Sequence, residues 1–156
     1  MSIPYSLMSR LVGAMLLASV FGPAFAQSQG QAQTDLPRAQ LQAGMHLMQV
    51  QVASTGRERE IGLMWRKDMP QQEGMLFVFE QPAGQCFWMR NTLIPLTAAF
   101  VADDGTIVNL ADMQSQTDTS HCSGQPVRFV LEMNQGWFAK RNIRAGYKLT
   151  GPFFRP

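Results

Sequence analysis

The stretch Phe87-Trp88-Met89-Arg90-Asn91-Thr92-Leu93-Ile94-Pro95-Leu96 packs two aromatics, an arginine and two small polar residues into one short, otherwise apolar segment. A guanidinium can clamp a carboxylate or another anion, Asn91 and Thr92 can hydrogen-bond a polar ligand, and an indole offers an apolar or sugar-stacking wall. Arg59, Arg66 and Glu132 are further charged residues set among apolar neighbours. The candidate ligand-binding set is therefore Arg59, Arg66, Trp88, Arg90, Asn91, Thr92 and Glu132, with Trp65 as a second wall. A structural use of the same residues competes with this, because polar groups near a core need partners or cost free energy. In that use Arg59 or Arg66 pairs with Glu132 to tie a helix to the sheet, while Asn91 and Thr92 satisfy a turn ahead of Pro95.

Catalytic and metal chemistry have less support. His46 and His121 are the only possible imidazole bases, and neither sits in a Gly-x-Ser-x-Gly or His-Glu-x-x-His context. Glu132 with Asp112 or Asp118 could make a paired-carboxylate glycosidase, although their spacing does not demand it. Met64, Met69, Met75, Met89, Met113 and Met133 raise the thought of a thioether site for Cu(I), but methionine more commonly fills irregular gaps in a core. His121 and Cys122 are adjacent, so on a strand they would point to opposite faces. No metal and no cofactor is expected. Cys86 and Cys122 are the only cysteines. They form no Cys-x-x-Cys motif, and a bridge between them would stabilise an exported chain by roughly 3 to 4 kcal/mol.

The elements that must hold these residues read mostly as strands. Residues 46–53 alternate, with Met48, Val50 and Val52 on one face against Gln49 and Gln51 on the other, the period of a half-buried strand. Residues 127–133 repeat the pattern, which turns Val127, Phe129, Leu131 and Met133 inward and Arg128 and Glu132 outward. The apolar runs 74–79 and 94–102 predict strands covered on both faces. Asp103-Asp104-Gly105 predicts a hairpin turn leading into a strand over 106–110. Thr55-Gly56-Arg57-Glu58 has the form of a capping box and predicts a helix over 56–65, with Ile61, Met64 and Trp65 toward the core. Asn134 can cap a second helix over 135–141. Short strands punctuated by Gly, Pro and Asp favour a mainly β sandwich or barrel with two short α-helices.

Taken in order, Glu58-Arg59-x-x-Gly62-Leu63-Met64, Gly74-Met75-Leu76-Phe77, Phe87-Trp88-Met89-x-Asn91-Thr92, Pro95-Leu96 and Val130-Leu131-Glu132 resemble the domain of unknown function 192 (DUF192) family of bacterial and archaeal proteins. The resemblance runs from about Met45 to Gly151. It implies a compact jelly-roll-like β-barrel with short helices, and it brings no established activity, cofactor or catalytic residue. The family usually follows Pro-Leu with an acidic residue, where this chain has Thr97.

Residues 1–26 carry one positive side chain, Arg10, then an uncharged apolar run ending in Ala24-Phe25-Ala26, the pattern of a secretory signal peptide cleaved after Ala26. The apolar run is shorter than the roughly 20 residues of a membrane span, so no stable membrane insertion is expected after cleavage. Residues 27–40 read as a flexible leader and 41–156 as a single domain. With 13 basic and 11 acidic residues the net charge is +2, and the scattered basic residues argue against nucleic acid as a partner. The expectation is an exported protein, periplasmic or secreted. Its expected role is a non-enzymatic binding or accessory module of the cell envelope, holding a small polar or saccharide-like ligand or an envelope protein. An envelope carbohydrate hydrolase or lyase using Glu132, and a purely structural or partner-dependent protein, are the alternatives.

Overall fold

A computed structural model describes residues 30–155; the segment 1–26, read from sequence as a signal peptide, lies outside the described residues. The strands are β1 Arg38–Ala43, β2 His46–Ala53, β3 Glu73–Ala83, β4 Cys86–Phe87, β5 Leu96–Val101, β6 Ile107–Met113, β7 His121–Cys122, β8 Val127–Asn134 and β9 Leu149–Thr150. Seven of them form one sheet in the order β6-β5-β8-β3-β2-β1-β9, and β4 pairs with β7 as a separate ribbon. All pairings are antiparallel except β2 with β3. That parallel pair needs a crossover, which runs through the helix α1, Gly56–Ile61.

The sheet curls into a half-barrel. Beyond its two outer strands the chain is stitched together by a bridge between Thr106 and Lys148, and the Ile107 N–H donates to the Tyr147 carbonyl at 2.9 Å. Both faces of the sheet are covered, which explains why β5 (Leu-Thr-Ala-Ala-Phe-Val) is buried at every position and reads as a continuous apolar run. One face packs Leu41, Met48, Val50, Leu76, Leu131 and Met133 against Trp137 and Phe138. The other packs Met75, Phe77, Leu96, Phe100 and Val130 against Leu63 and Met89.

The sequence expectation of two helices is corrected to one short helix and a single turn. The capping box forms as expected, with the Glu58 N–H donating to Thr55 Oγ1 at 3.2 Å and the Thr55 N–H to the Glu58 carboxylate at 2.8 Å. The helix nevertheless stops at Ile61 because Gly62 takes φ 50°, ψ −129°, a conformation open mainly to glycine. Leu63 therefore becomes the buried residue, while Ile61, Met64 and Trp65 are only half-buried. Over 135–141 the chain makes only a 3-10 turn, Ala139–Arg141, since Gly136 and Asn142 both adopt positive φ.

The folded chain also starts earlier than residue 41. Strand β1 begins at Arg38, and the residues before it are tied down: the Gln33 amide donates to the Glu58 and Gly62 carbonyls at 2.8 and 2.9 Å. Composition missed this because the anchoring groups are backbone carbonyls 25 or more residues away.

Glycine matters most at Gly74, where β3 meets β8. A Cβ there would lie 2.5 Å from the Glu132 carbonyl and 2.4 Å from Met133 Sδ. Because one of those neighbours is backbone, Gly74→Ala is expected to lower unfolding free energy by roughly 1 to 3 kcal/mol, as overpacking does. Urea denaturation measures it, and an unchanged midpoint would contradict the close packing of β3 on β8.

Candidate functional site

The polar segment singled out in the sequence runs along one side of a solvent-open cleft of ≈ 1580 Å³. Beside it runs the turn after α1, which brings Leu63, Met64 and Trp65 to the cleft. A single backbone bond holds the two in register: the Trp65 N–H donates to the Asn91 carbonyl at 2.8 Å, with Trp65 and Asn91 both at positive φ (61° and 60°). The Thr92 N–H donates to the Met89 carbonyl and the Gln116 N–H to the Thr92 carbonyl, each at 3.0 Å, so Asn91 and Thr92 do form the expected turn.

Glu132 lies at the cleft floor. It sits on β8 directly between Met75 of β3 and Ala98 of β5, and alternation puts its side chain on the sheet face that carries Val130 and Phe77. The outward orientation expected from its strand is corrected: Glu132 is only 4% exposed, because the segment after α1 and the Met89–Thr92 turn cover that face too. Neither Arg59 nor Arg66 reaches it. No side-chain hydrogen bond to its carboxyl is present among the described residues, and burial pushes its pKa up from 4.5 to about 8. At neutral pH it is an uncharged carboxylic acid, able both to donate and to accept.

The arginines have other partners. Arg59 donates to the Val78 carbonyl at 2.8 Å, to the Ser54 carbonyl, and to Glu80 at 3.1 Å, and its guanidinium lies 4.9 Å from the Phe79 ring centre. It lines the cleft while pinning α1 to β3. Arg66 does not line the cleft; it is buried against Gln51 and donates to the Gln33 carbonyl at 2.7 Å. Arg90 bonds Asp118 at 2.9 Å and stacks 4.1 Å from the centre of Trp88, which stands 48% exposed on the rim. Asp118 holds the Arg90 pKa above its usual value, and Arg90 in turn lowers that of Asp118.

Of the seven candidate residues, six share this cleft: Arg59, Trp88, Arg90, Asn91, Thr92 and Glu132. Cys86 also lines it, bonded to Cys122 directly opposite on β7. Asp112 lies elsewhere, accepting a 2.6 Å hydrogen bond from Thr97 beside a small depression of ≈ 190 Å³. Thr97 thus meets a carboxylate from the paired strand β6. Among the described residues no group of three or more His, Cys, Asp or Glu side chains is gathered to hold a metal ion, and no helix is long and apolar enough to cross a membrane.

Residues 39–151 match the family described as Uncharacterized ACR, DUF192. The chain belongs to the DUF192 family. Two solved structures are similar to it. One, from Sinorhizobium meliloti 1021 and described as a "putative transcription regulator", is 34% identical with a TM-score of 0.69, covering 73% of this chain and 92% of that one. The other, a protein of unknown function from Novosphingobium aromaticivorans DSM 12444, is 31% identical with a TM-score of 0.69, covering 88% of this chain and 99% of that one. Among curated proteins none matches.

Sequence reasoning missed several wall residues of this DUF192 protein. Phe77 and Phe87 line the cleft with rings packed edge to face at 4.8 Å, yet in sequence they are ordinary strand aromatics. The strip 30–33 and Asp35 also contribute to the wall, although their composition suggests a leader. Only the long-range bonds from Gln33, Arg66 and Gln51 reveal their place.

Proposed function

We propose that this DUF192 protein is an exported binding module of the cell envelope whose cleft holds a small polar or saccharide-like ligand. The observation that carries the reading is Glu132. Its carboxyl makes no side-chain hydrogen bond among the described residues and borders the cleft, where an incoming ligand can supply one. Trp65, Trp88 and Phe87 give the ligand apolar faces, and Asn91 and Thr92 lie at its edge. The signal-peptide pattern of residues 1–26 supports a periplasmic or secreted location, and the Cys86–Cys122 bridge fits an oxidising compartment.

A thermal-shift screen of neutral and charged saccharides and small metabolites tests the reading. A ligand present at about 100 times its Kd stabilises the fold by about 2.7 kcal/mol, several degrees in Tm. Trp88→Ala is expected to abolish the shift while leaving the unliganded Tm unchanged, because the indole is half exposed. If no ligand shifts Tm and Arg59→Ala and Asn91→Ala only destabilise, the polar set is structural.

The same carboxyl favours one second reading, an envelope carbohydrate hydrolase or lyase. An acid still protonated near neutral pH is suited to protonating a leaving group. Asp112 and Asp118, the partners that a two-carboxylate mechanism would draw on, do not line the cleft. Turnover that Glu132→Gln abolishes without loss of fold would establish this reading over pure binding.

A further inference from the structure

A second surface lies at the tip of the β1–β2 hairpin. The two-residue turn there is Gly44-Met45, with Gly44 at φ 58°. Polar residues close such turns without exposing apolar surface, yet here Met45 stands 85% exposed and Leu47, two residues on, 49%. Both neighbours of Met45 are clamped. The Tyr147 hydroxyl lies where a Cβ on Gly44 would be, and the His46 ring packs edge to face on Trp137 with centroids 6.3 Å apart. The tip is therefore held in place, with its two apolar side chains left uncovered by the described residues.

The segments that clamp it are basic. Trp137 carries the Arg141 guanidinium 4.2 Å from its ring centre, and Arg141 donates to the Trp137 carbonyl at 3.0 Å. The Tyr147 N–H donates to the Arg144 carbonyl at 3.0 Å. Lys140 and Arg144, on either side of Arg141, are exposed. None of the three cations has an ion-pair partner among the described residues, unlike Arg38, Arg59, Arg90, Arg128 and Lys148. Residues 133–156 hold five basic side chains and no acidic one, and the hairpin 38–53 holds no acidic one either. The carboxylates that border these segments are already engaged, Glu73 by Arg38, Asp104 by Lys148 and Asp112 by Thr97.

We propose that this tip docks on an anionic lipid membrane, Met45 and Leu47 entering the boundary between headgroups and acyl chains while Lys140, Arg141 and Arg144 meet lipid phosphates. Charge complementarity decides the sign of the partner, and the uncovered apolar pair decides its kind. A membrane offers both an anionic surface and an apolar layer beneath it, whereas a nucleic acid or other hydrophilic polyanion gives a methionine and a leucine nothing to enter. The contact is peripheral, made by side chains around one turn. The cleft lies over the other face of the sheet from Trp137, and docking uses none of its lining residues. Attachment therefore leaves the cleft free to bind.

Sedimentation with vesicles tests this, using the exported chain from Gln27 onward so that residues 1–26 do not themselves partition. Vesicles of phosphatidylcholine with about a quarter phosphatidylglycerol are expected to bind the protein roughly tenfold or more tightly than phosphatidylcholine alone at about 0.1 M salt, and raising the salt to about 0.5 M is expected to remove most of the difference. Lys140→Gln and Arg144→Gln each lower the affinity about fivefold, the worth of one cation near such a surface. Met45→Ser with Leu47→Ser lowers it roughly tenfold. All four side chains are exposed, so thermal unfolding of these variants stays as in the unaltered protein. Equal binding to both vesicles, or binding indifferent to Met45 and Leu47, overturns the inference; in the second case a DNA duplex or heparin bound as tightly as the vesicles identifies a hydrophilic polyanion as the partner instead.

Discussion

Between pH 5 and pH 9 the fold is expected to lose about 4 kcal/mol of stability, and Glu132→Gln is expected to remove most of that loss. The sign follows from where the proton sits. The Glu132 carboxyl has a pKa of about 8 when folded against an ordinary 4.5, so between those values the folded protein keeps a proton that the unfolded chain gives up. Its contribution is complete below pH 4.5, declines from there to about pH 8, and is flat beyond, each pKa unit corresponding to about 1.4 kcal/mol. Glutamine has nearly the same shape and never ionises, so the variant carries no such slope. Glu58, Glu80, Asp104 and Asp118 are shifted the other way, below their ordinary values, chiefly by hydrogen bonds. They weaken the fold only as pH falls through the carboxylate range, so the two trends leave a maximum near pH 5. Urea midpoints at pH 5, 7 and 9 for both proteins measure the effect, and parallel curves would mean that Glu132 is not buried as described.

Reduction of the Cys86–Cys122 bridge is expected to lower stability by roughly 3 to 4 kcal/mol, the loop-closure value for a cross-link spanning 36 residues. The effect reaches the cleft. Strands β4 and β7 are two residues each and pair only with one another, and so short a ribbon does not persist alone. Phe87, in the ribbon, and Trp88, immediately after it, are cleft walls, so the reduced protein should also show altered Trp88 fluorescence before global unfolding. Both cysteines are exposed, which makes complete reduction straightforward to verify by thiol titration. Identical denaturation with and without reductant, once both thiols titrate, would refute the stabilising role.

Much of the framework was legible in the sequence for physical reasons that can be named. Strand β2 has the bounds of the alternating segment His46–Ala53, and the alternation records burial as far as Val50; Gln51, expected on the open face, is buried instead against Arg66. The buried run of β5 was legible for the opposite reason, since a strand covered on both faces is almost wholly apolar, Thr97 being its one polar residue. Chemistry that depends on a third element was not legible. Glu132 alternates with apolar residues as any half-exposed strand residue would, and nothing local announces that Leu63 and Met89 pack on the same face of the sheet. Arg66 looked like a ligand clamp because the sequence does not reveal that Gln51, on the strand before α1, is its partner. The shortened α1 was half legible: Gly62 was visible, but not its position against the Phe77 ring, 3.2 Å from where a Cβ would be.

Strand β1 takes its outer hydrogen bonds from β9, pairing Gln42 with Thr150 and Ala43 with Leu149. The outer edge of β1 is thus covered by residues more than a hundred positions further along the chain. Until they arrive, that edge presents unpaired N–H and C=O groups of the kind that recruit foreign strands. Closing the half-barrel depends on the pairing of greatest sequence separation in the sheet, and such pairings are slow because the loop between them must close first.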